Sequence, residues 1–550
     1  MRKLLFIFLS FPILGIAQNW EQIIIYPGAS ASNPMFFTEF NGELYFQARG
    51  EFIGAELFKT NGTTTTLVQD INNVNADYGY PENFKVFNNE LYFIATHPTY
   101  GRELFKINGG VTSLVKDINA GASNSQTFYE ENQMAMIEHN GFLYFFSNDS
   151  QSYFNDWDLW KTDGTENGTT KVLDFNTAEI NGFKKNFLLI DGKFYFMKKI
   201  GITTYLYQYN PANDSLINLA QLAGDIEYLT EFEGKLFFKT NKIYYTDGTL
   251  NNQGAYINSI TGTDNLGHEM IALGDNLIFA SNNRLYKCYY HQGSQDYVVE
   301  ILYAFSGTMD SFYNNISNDG KNIFYKLNNK LYFAAREDSS PSTNNGGKII
   351  QIYSTDGTTT EVVIPINNFE FESYQGNWIQ DMLIHENQLY FMMYDPASFS
   401  YYFWQANLTT GSYQQLNSPS ISGSPEKIAA EHLKPFNPII VYSNSIYLGG
   451  YTSSEEKELW KFGTGTLGVD EVTLDNKIQI YPNPTQDYVK FNIENIEAYQ
   501  IAIFNAVGQE IKLRINNETI DFTSVPVGIY YITISNSTTD KKITQKIIKK

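Results

Sequence analysis

The histidines are the residues most able to do chemistry in this sequence, because imidazole serves as a metal ligand and as a general base near neutral pH. None of the six belongs to a His-x-x-x-His or His-x-His pair, the spacings that place two imidazoles on one ion. Distant repeats could bring them together, but we interpret them as surface or core residues. They are His97, His139, His268, His291, His385 and His432.

The chain has one cysteine, Cys288, so no intramolecular disulfide is possible. A catalytic thiolate needs a neighbouring base, and His291 follows three residues later. In a strand, residues i and i+3 point to opposite faces, so this spacing favours a plain core thiol. The Gly-x-Ser-x-Gly, Walker-type and His-Glu-x-x-His patterns of common hydrolases and nucleotide enzymes do not occur.

Acidic pairs and clustered aromatic residues are the features that would suit carbohydrate chemistry. Glycoside hydrolysis needs two carboxyl groups about 5–9 Å apart, a distance that a sequence does not give. We interpret the acidic pairs as exposed charges on loops, and the aromatic cluster as core of the sheets rather than a sugar-stacking platform. The pairs are Asp156 with Asp158 and Glu455 with Glu456, and the aromatic cluster is Tyr401, Tyr402 and Trp404.

The phrase DLWKTDGT at 158–165 has an acidic residue, a glycine and hydroxyl groups, the composition of a metal-binding loop. A hard cation needs several converging oxygen ligands, and one aspartate per turn does not supply them. Asn-Gly and Asp-Gly between strands are typical of type I′ hairpins, whose central residues need positive φ. We therefore predict structural turns with no metal and no cofactor. The turns are Asn61-Gly62, Asn108-Gly109, Asp163-Gly164, Asp247-Gly248 and Asp356-Gly357.

These turns belong to a repeat. A run such as Leu44-Tyr45-Phe46 recurs nine times between residues 40 and 460, at roughly the fifty-residue spacing of a four-stranded blade. Three large apolar residues in succession require cover on both faces of a strand, as in a stack of blades. The sequence predicts an all-β fold with a large β-propeller of eight or nine four-stranded blades. Eight would result if the weak copies at Leu236 and Leu277 merged, and an open solenoid is the alternative.

The two ends of the repeat region predict how the ring closes. The segment 23–34 is similar to 114–125, the fourth strand and exit loop of one copy, whereas the ninth copy stops after its third strand at Phe462. A strand exchanged between the ends would close the ring and protect its sheet edges. The phrase in these copies resembles the ELWxxDGT-type repeats of bacterial surface proteins. That resemblance implies a propeller-like array and no particular activity.

The first residues predict export. Arg2 and Lys3 precede an apolar run, and Gly15 and Ala17 occupy the −3 and −1 positions of a cleavage site, so we expect a signal peptide at 1–17. The apolar run is too short to span a bilayer. Aromatic residues reach 16%, which favours strands. The formal net charge of −21 argues against nucleic acid or an anionic membrane surface as partner.

The end of the chain differs from the repeats. We predict a repeat domain at 18–466, a Gly/Thr-rich linker at 467–475, and a small Ig-like β-sandwich at 476–550. Three short motifs occur there in order: Tyr481-Pro482-Asn483-Pro484, then 504–509 with Gly508, then Gly528-Ile529-Tyr530-Tyr531.

With five lysines in the last ten residues, the tail resembles the C-terminal sorting domain of type IX secretion substrates from Bacteroidetes-type bacteria. The resemblance implies recognition by the type IX machinery, passage through the periplasm, and removal of the tail. The cargo would then be released or attached to surface lipopolysaccharide.

We therefore expect a secreted or cell-surface protein whose repeat domain is a binding module for a glycan or a protein. The alternative is a secreted carbohydrate-active enzyme, a glycoside hydrolase or lyase, with a site at the propeller channel. We favour binding, because the repeats consist of structural residues.

Overall fold

The structure is a computed structural model, and in the ranges it describes all regular structure is β-strand, with no helix. None of those residues forms a helix long and apolar enough to cross a membrane. The chain divides between Gly463 and Thr464 into two compact units. The described ranges are 20–25, 32–74, 78–125, 135–149, 157–175, 187–223, 227–239, 242–249, 255–256, 270–281, 283–306, 324–338, 348–365, 379–395, 400–416, 439–451, 457–463, 480–491, 499–505, 510–516, 519–536 and 542–550.

Nine four-stranded antiparallel sheets are described in the first unit. The strand β1 (Trp20–Ile23) belongs to the ninth. Sheet 1 consists of β2 (Met35–Phe40), β3 (Glu43–Arg49), β4 (Ala55–Thr60) and β5 (Thr65–Gln69). Sheet 2 consists of β6 (Glu82–Phe87), β7 (Glu90–His97), β8 (Gly101–Asn108) and β9 (Val111–Lys116). Sheet 3 consists of β10 (Ile137–His139), β11 (Phe142–Ser147), β12 (Asp158–Thr162) and β13 (Thr170–Leu173).

The next three sheets continue in chain order. Sheet 4 consists of β14 (Phe187–Ile190), β15 (Lys193–Ile200), β16 (Thr203–Asn210) and β17 (Ser215–Ala223). Sheet 5 consists of β18 (Glu227–Phe232), β19 (Lys235–Lys239), β20 (Ile243–Thr246) and β21 (Ala255–Tyr256). Sheet 6 consists of β22 (Met270–Leu273), β23 (Asn276–Ser281), β24 (Arg284–His291) and β25 (Asp296–Ala304). The copies at Leu236 and Leu277 thus lie in separate sheets.

The last three sheets complete the unit. Sheet 7 consists of β26 (Tyr325–Leu327), β27 (Lys330–Asp338), β28 (Lys348–Thr355) and β29 (Thr360–Pro365). Sheet 8 consists of β30 (Ile379–His385), β31 (Gln388–Asp395), β32 (Ser400–Asn407) and β33 (Tyr413–Gln415). Sheet 9 consists of β34 (Ile439–Tyr442), β35 (Ser445–Tyr451) and β36 (Lys457–Gly463), with β1 as its fourth strand.

Two-residue hairpins join the first and second strands of most sheets. In sheet 1, Phe40 pairs with Glu43, and the turn residues Asn41 and Gly42 have φ of 51° and 72°. Two successive positive φ values define a type I′ turn, whose twist matches the strands it joins. The same turn recurs at Asn88-Asn89, Asn140-Gly141, Asp191-Gly192, Glu233-Gly234, Glu386-Asn387 and Ser443-Asn444.

Neighbouring sheets share apolar cores. In the second strand of sheet 1, Leu44, Tyr45 and Phe46 are all buried, which confirms that both faces of the strand are covered. Tyr45 contributes to a cluster with Phe93 of sheet 2, and a similar cluster joins each later sheet to the next. A further cluster joins sheet 9 to sheet 1, so the packing order is cyclic. Each large apolar side chain buried in this way contributes roughly 1.5–3 kcal/mol.

The exchange of strands between the ends of the repeat region is confirmed. β1 pairs antiparallel with β36, with Trp20 opposite Phe462 and Ile23 opposite Leu459. The Trp20 indole N–H donates to the carbonyl of Leu416 in the preceding sheet at 2.5 Å, and its ring packs edge-on against Trp460. Trp20 therefore joins sheets 8 and 9 as well as completing the ninth.

The second unit holds two four-stranded sheets in its described residues. In spatial order, one consists of β37 (Ile480–Tyr481), β38 (Tyr488–Phe491), β42 (Thr519–Asp521) and β41 (Ile515–Asn516). The other consists of β40 (Glu510–Ile511), β39 (Tyr499–Asn505), β43 (Gly528–Asn536) and β44 (Lys542–Lys549). Their inner faces share one core, which contains Val489 and Phe522 of the first sheet region and Ile532 and Ile547 of the second. The unit is thus two sheets on a common core.

Candidate functional site

The Asn61-Gly62 and Asp356-Gly357 turns are longer than the sequence predicts. Thr60 pairs with Thr65, and Thr355 pairs with Thr360, so each loop has four residues. The Asn61 side-chain oxygen accepts the backbone N–H groups of Thr63 and Thr64, at 3.0 and 2.8 Å. The type I′ assignment for Asn61-Gly62 and Asp356-Gly357 is therefore wrong. The side chain of the first residue supplies the hydrogen bonds of the turn, and the left-handed φ falls on the glycine.

The same interactions recur at Asp163-Gly164 and Asp247-Gly248. The Asp163 carboxylate accepts the Thr165 N–H at 2.8 Å, and that of Asp247 accepts the Thr249 N–H at 2.9 Å. Hydrogen bonds from Thr165 lower the pKa of Asp163. At Asn108-Gly109 the predicted hairpin is shifted by one residue, because Asn108 pairs with Val111 and the turn residues are Gly109 and Gly110.

The threonine before each turn and the glycine within it also have defined partners. The Thr162 hydroxyl accepts the Gly164 N–H at 2.9 Å, and the corresponding threonines accept at Gly62, Gly248 and Gly357. A Cβ on Gly164 would collide with the Tyr92 hydroxyl of the preceding sheet. The turn therefore packs on its neighbour. Gly62 faces Tyr447, Gly248 faces Tyr195, and Gly357 faces Asn276 in the same way.

Four buried acidic residues near the start of third strands anchor the loops that lead to the next sheet. We call them the anchoring carboxylates: Glu56, Glu103, Asp158 and Glu458. Each accepts a backbone N–H from the loop after the fourth strand, at distances from 2.7 to 3.1 Å; the donors are Ile71 and Gly79 for Glu56, Asn119 for Glu103, Phe175 for Asp158 and Ile25 for Glu458. A buried carboxylate is tolerated only with such partners.

The interpretation of Asp158 as an exposed loop charge is wrong. Its side chain is buried in β12, where Lys171 lies 2.7 Å away and the Phe175 N–H donates at 2.8 Å. Burial raises the pKa of Asp158, against the opposing effect of Lys171. Asp156, Glu455 and Glu456 lie outside the described residues.

Burial is the main cause of the raised pKa of two anchoring carboxylates. It raises the pKa of Glu56 to about 7, although the N–H groups of Ile71 and Gly79 oppose the change. It raises the pKa of Glu103 to about 8, against hydrogen bonds from Ser125 and Asn119. Both groups therefore titrate near neutral pH.

Cys288 and the described histidines are distributed over several sheets. Cys288 is fully buried, and burial raises its pKa to about 12, so the thiol form prevails at neutral pH. His291 is exposed at the end of the same strand, and its ring binds Ser294. His97, His139 and His385 belong to three different sheets, and His268 and His432 lie outside the described residues. Among described residues, no group of three or more His, Cys, Asp or Glu could hold a metal ion.

The predicted aromatic cluster is part of a sheet. Trp404 is half-buried in β32 and packs against Tyr413 with ring centroids 5.9 Å apart. The side chains of Tyr401 and Tyr402 lie outside the described set.

A polar cleft of about 650 Å³ lies where sheets 5, 6 and 7 meet, and no spacing in the sequence indicates it. Sheet 5 contributes its first hairpin, sheet 6 its first hairpin and the end of its third strand, and sheet 7 the Gly357 turn. Carboxylates, amides, two tyrosine rings and the Lys287 ammonium group line it. The lining side chains include Glu233, Asp275, Asn276, Tyr289, Tyr290 and Gln292.

In the second unit, the Tyr481-Pro482-Asn483-Pro484 motif holds the last strand. Both X-Pro bonds are cis. The Asn483 side-chain oxygen accepts the Ile548 N–H at 2.9 Å, and the Thr485 N–H donates to the Ile548 carbonyl at 2.8 Å. The Tyr530 hydroxyl donates to the Pro526 carbonyl at 2.7 Å, just before Gly528 begins β43. Gly508 lies outside the described residues.

The comparison with known families decides the nature of this unit. Residues 479–550 match the family described as the secretion system C-terminal sorting domain. The tail is a sorting domain. The predicted resemblance is thereby confirmed for this segment, and the sorting domain marks a type IX secreted or outer-surface protein.

The chain is also similar to solved structures at low sequence identity. No curated protein matches the chain. Among solved structures, prolyl endopeptidases show 9% identity and a TM-score of 0.39 over 93% of this chain and 55% of theirs. A post-proline cleaving enzyme from Rickettsia typhi shows 8% identity and a TM-score of 0.40, over 94% of this chain and 59% of that one. This chain thus spans just over half the length of those peptidases.

A further similar structure is PorZ, a bacterial surface component of the type IX secretion system of Porphyromonas gingivalis. It shows 11% identity and a TM-score of 0.18 over 94% of this chain and 82% of that one.

Proposed function

We propose that the protein is a type IX secretion substrate in which the sorting domain directs a ring-shaped binding module to the cell surface or the medium. The observation that carries the proposal is the family match at 479–550, together with the Asn483 to Ile548 hydrogen bond that ties its first motif to its last strand. In this proposal residues 1–17 are a signal peptide, 18–466 the cargo, 467–475 a linker and 476–550 the sorting domain.

The cargo is a β-propeller of nine blades in this proposal. Cyclic packing of nine described sheets supports it, as does the completion of the last sheet by β1. The tail is an Ig-like sandwich, supported by two four-stranded sheets on a shared core. After export the tail is removed, and the cargo is released or attached to lipopolysaccharide.

The cargo acts by binding rather than by catalysis. The acidic residues that recur in its repeats serve its architecture, because the turn aspartates bind their own loops and the anchoring carboxylates bind connecting loops. The ligand of such a ring binds at a feature that the repeats do not share, such as the cleft at sheets 5 to 7.

Deletion and transfer of the tail test the sorting role. In a type IX-secreting host, a chain lacking 476–550 should accumulate in the periplasm with native tryptophan fluorescence, since all six tryptophans lie before residue 463. A periplasmic reporter fused to 476–550 should reach the surface or medium. Surface delivery of the tail-less chain, or retention of the fusion in the periplasm, would refute the proposal.

A further inference from the structure

The cleft at sheets 5 to 7 has the chemistry of a sugar-binding site. We propose that it binds a neutral oligosaccharide, an inference that rests on the binding role proposed above and assigns it a ligand class. Its volume of about 650 Å³ lies within the range of small-molecule sites in proteins. Two tyrosine rings, two carboxylates and two amides contribute to its lining.

The first ring, Tyr289, is fixed in place before any ligand arrives. Its hydroxyl donates to Glu300 at 2.7 Å, and the Lys287 ammonium lies 3.3 Å from the same carboxylate. That ammonium also lies 5.1 Å from the ring centroid. A half-exposed aromatic ring held in this way offers a flat apolar surface at low entropic cost, which suits the C–H face of a pyranose.

The second ring, Tyr290, is positioned by its neighbour Tyr297, whose ring lies 5.4 Å away at 72°. The Tyr297 hydroxyl donates to Glu233 at 2.8 Å and accepts from Lys235 at 3.1 Å. One network therefore orients both Tyr290 and the Glu233 carboxylate. Preorganised groups of this kind increase affinity because little ordering remains at binding.

The charges of the cleft select a neutral ligand. Glu233 and Asp275 are exposed carboxylates, which repel uronates and phosphates. The protein's own ammonium groups already lie by the rings, Lys287 near Tyr289 and Lys235 at 5.6 Å from Tyr290, which leaves less attraction for a cationic ligand.

Sugar hydroxyls suit the remaining groups. They donate to the carboxylates in strong charge-assisted bonds, and they accept from side-chain amides such as those of Asn276 and Gln292. A ligand with many hydroxyls and no charge satisfies both kinds of partner.

Calorimetric titration of the full-length chain tests the proposal with cellotetraose, maltotetraose and chitotetraose as neutral probes, tetragalacturonate as the anionic probe and a chitosan tetramer as the cationic probe. We expect at least one neutral tetramer to bind, and Asp275→Asn and Tyr289→Ala each to weaken it about tenfold. Two matched controls lie outside the cleft: Asp191→Asn in the first hairpin of sheet 4, and Tyr205→Ala on its third strand. Both should bind within about twofold of wild type.

Three outcomes would overturn the inference: preference for a charged tetramer, binding of neutral tetramers unaffected by both cleft variants, or no tetramer bound while a protein partner is captured. The last result would leave the proposed binding role standing and remove only its assignment to oligosaccharides.

Discussion

The Ser32 hydroxyl donates a 2.7 Å hydrogen bond to Glu458, a residue 426 positions later in the chain. The Ser125 hydroxyl makes the equivalent bond to Glu103 at 2.5 Å, across only 22 positions. The anchoring carboxylate therefore has the same partner whether it holds neighbouring repeats or the two ends of the repeat region. The junction between the ends is built like the junction at Glu103.

The anchoring carboxylates predict that the first unit, with its nine sheets, is less stable at pH 8 than at pH 5. The folded-state pKa values of Glu56 and Glu103, about 7 and about 8, exceed the ordinary glutamate value. The folded state therefore holds these protons more tightly, and this stabilisation is lost as pH rises from about 4.5 to about 8. Each carboxyl contributes roughly 3 kcal/mol to that loss. Urea unfolding followed by tryptophan fluorescence measures it.

The matched variants for this prediction are Glu103→Gln and, as control, Glu138→Gln, which removes an exposed carboxyl. The first should flatten the pH dependence, because a neutral side chain occupies the buried position at every pH. The second should leave the dependence unchanged. Equal curves for wild type and Glu103→Gln would contradict the prediction.

The packing of turn glycines on the preceding sheet predicts that Gly164→Ala destabilises more than Gly110→Ala. Both residues have positive φ, 95° and 82°, which costs an L-residue about 1–2 kcal/mol. A Cβ at Gly110 meets nothing within 4 Å, whereas one at Gly164 collides with Tyr92. We expect an additional loss of about 1–3 kcal/mol at Gly164. Denaturant melts measure both losses of stability. In the Gly164→Ala background, Tyr92→Phe should recover part of the lost stability, because it removes the colliding hydroxyl. Equal losses at Gly164 and Gly110 would exclude the collision with Tyr92.

The pairing of β1 with β36 predicts a strong effect of a disulfide at Glu21 and Lys461, which face each other in the register. The control cross-link joins Lys59 and Thr66, partners within one hairpin of sheet 1. Because a cross-link stabilises more when it closes a longer loop, the gain from the first should exceed that from the second by about 3.5 kcal/mol. Melting temperatures of oxidised and reduced forms give both values. A smaller gain for the Glu21–Lys461 link would contradict closure by β1.

The hydrogen bond from Ile548 to Asn483 predicts that Asn483→Ala loosens the last strand of the sorting domain. The Ile548 amide should exchange with solvent faster, with a loss of about 1 kcal/mol, and export should fall. Tyr481→Ala is the control, since that side chain is 49% exposed in the same motif and should leave amide exchange unchanged. Unchanged exchange and export in Asn483→Ala would show that the bond is dispensable.

The sequence indicates the strands of this fold well and its polar contacts poorly. Runs such as Leu44 to Phe46 mark strands because burial on both faces leaves a continuous apolar run, and that signal is local. Turn geometry was missed at Asn61 because its side chain, rather than the backbone, provides the hydrogen bonds of the loop.

Asp158 was misread for a different reason. Its partner Phe175 lies 17 positions away, and no local pattern shows that a loop N–H will return to a strand. The cleft is even harder to predict from the sequence, because three sheets contribute to it and its residues share no regular spacing. A signal for the anchoring carboxylates was nevertheless present, since an acidic residue precedes the aromatic run in ELFKT, ELFKI, DLWKT and ELWKF.

The placement of β1 in the ninth sheet has a consequence for assembly. Until residues 20–23 dock, β36 presents an unpaired edge, and such edges invite pairing between chains. Contacts between distant parts of a chain form slowly, so this edge stays open longer than the others during folding. Chains that lack residues 20–23 would keep this edge open permanently and would be prone to associate edge to edge, which makes an intact β1 a condition for a protected ninth sheet.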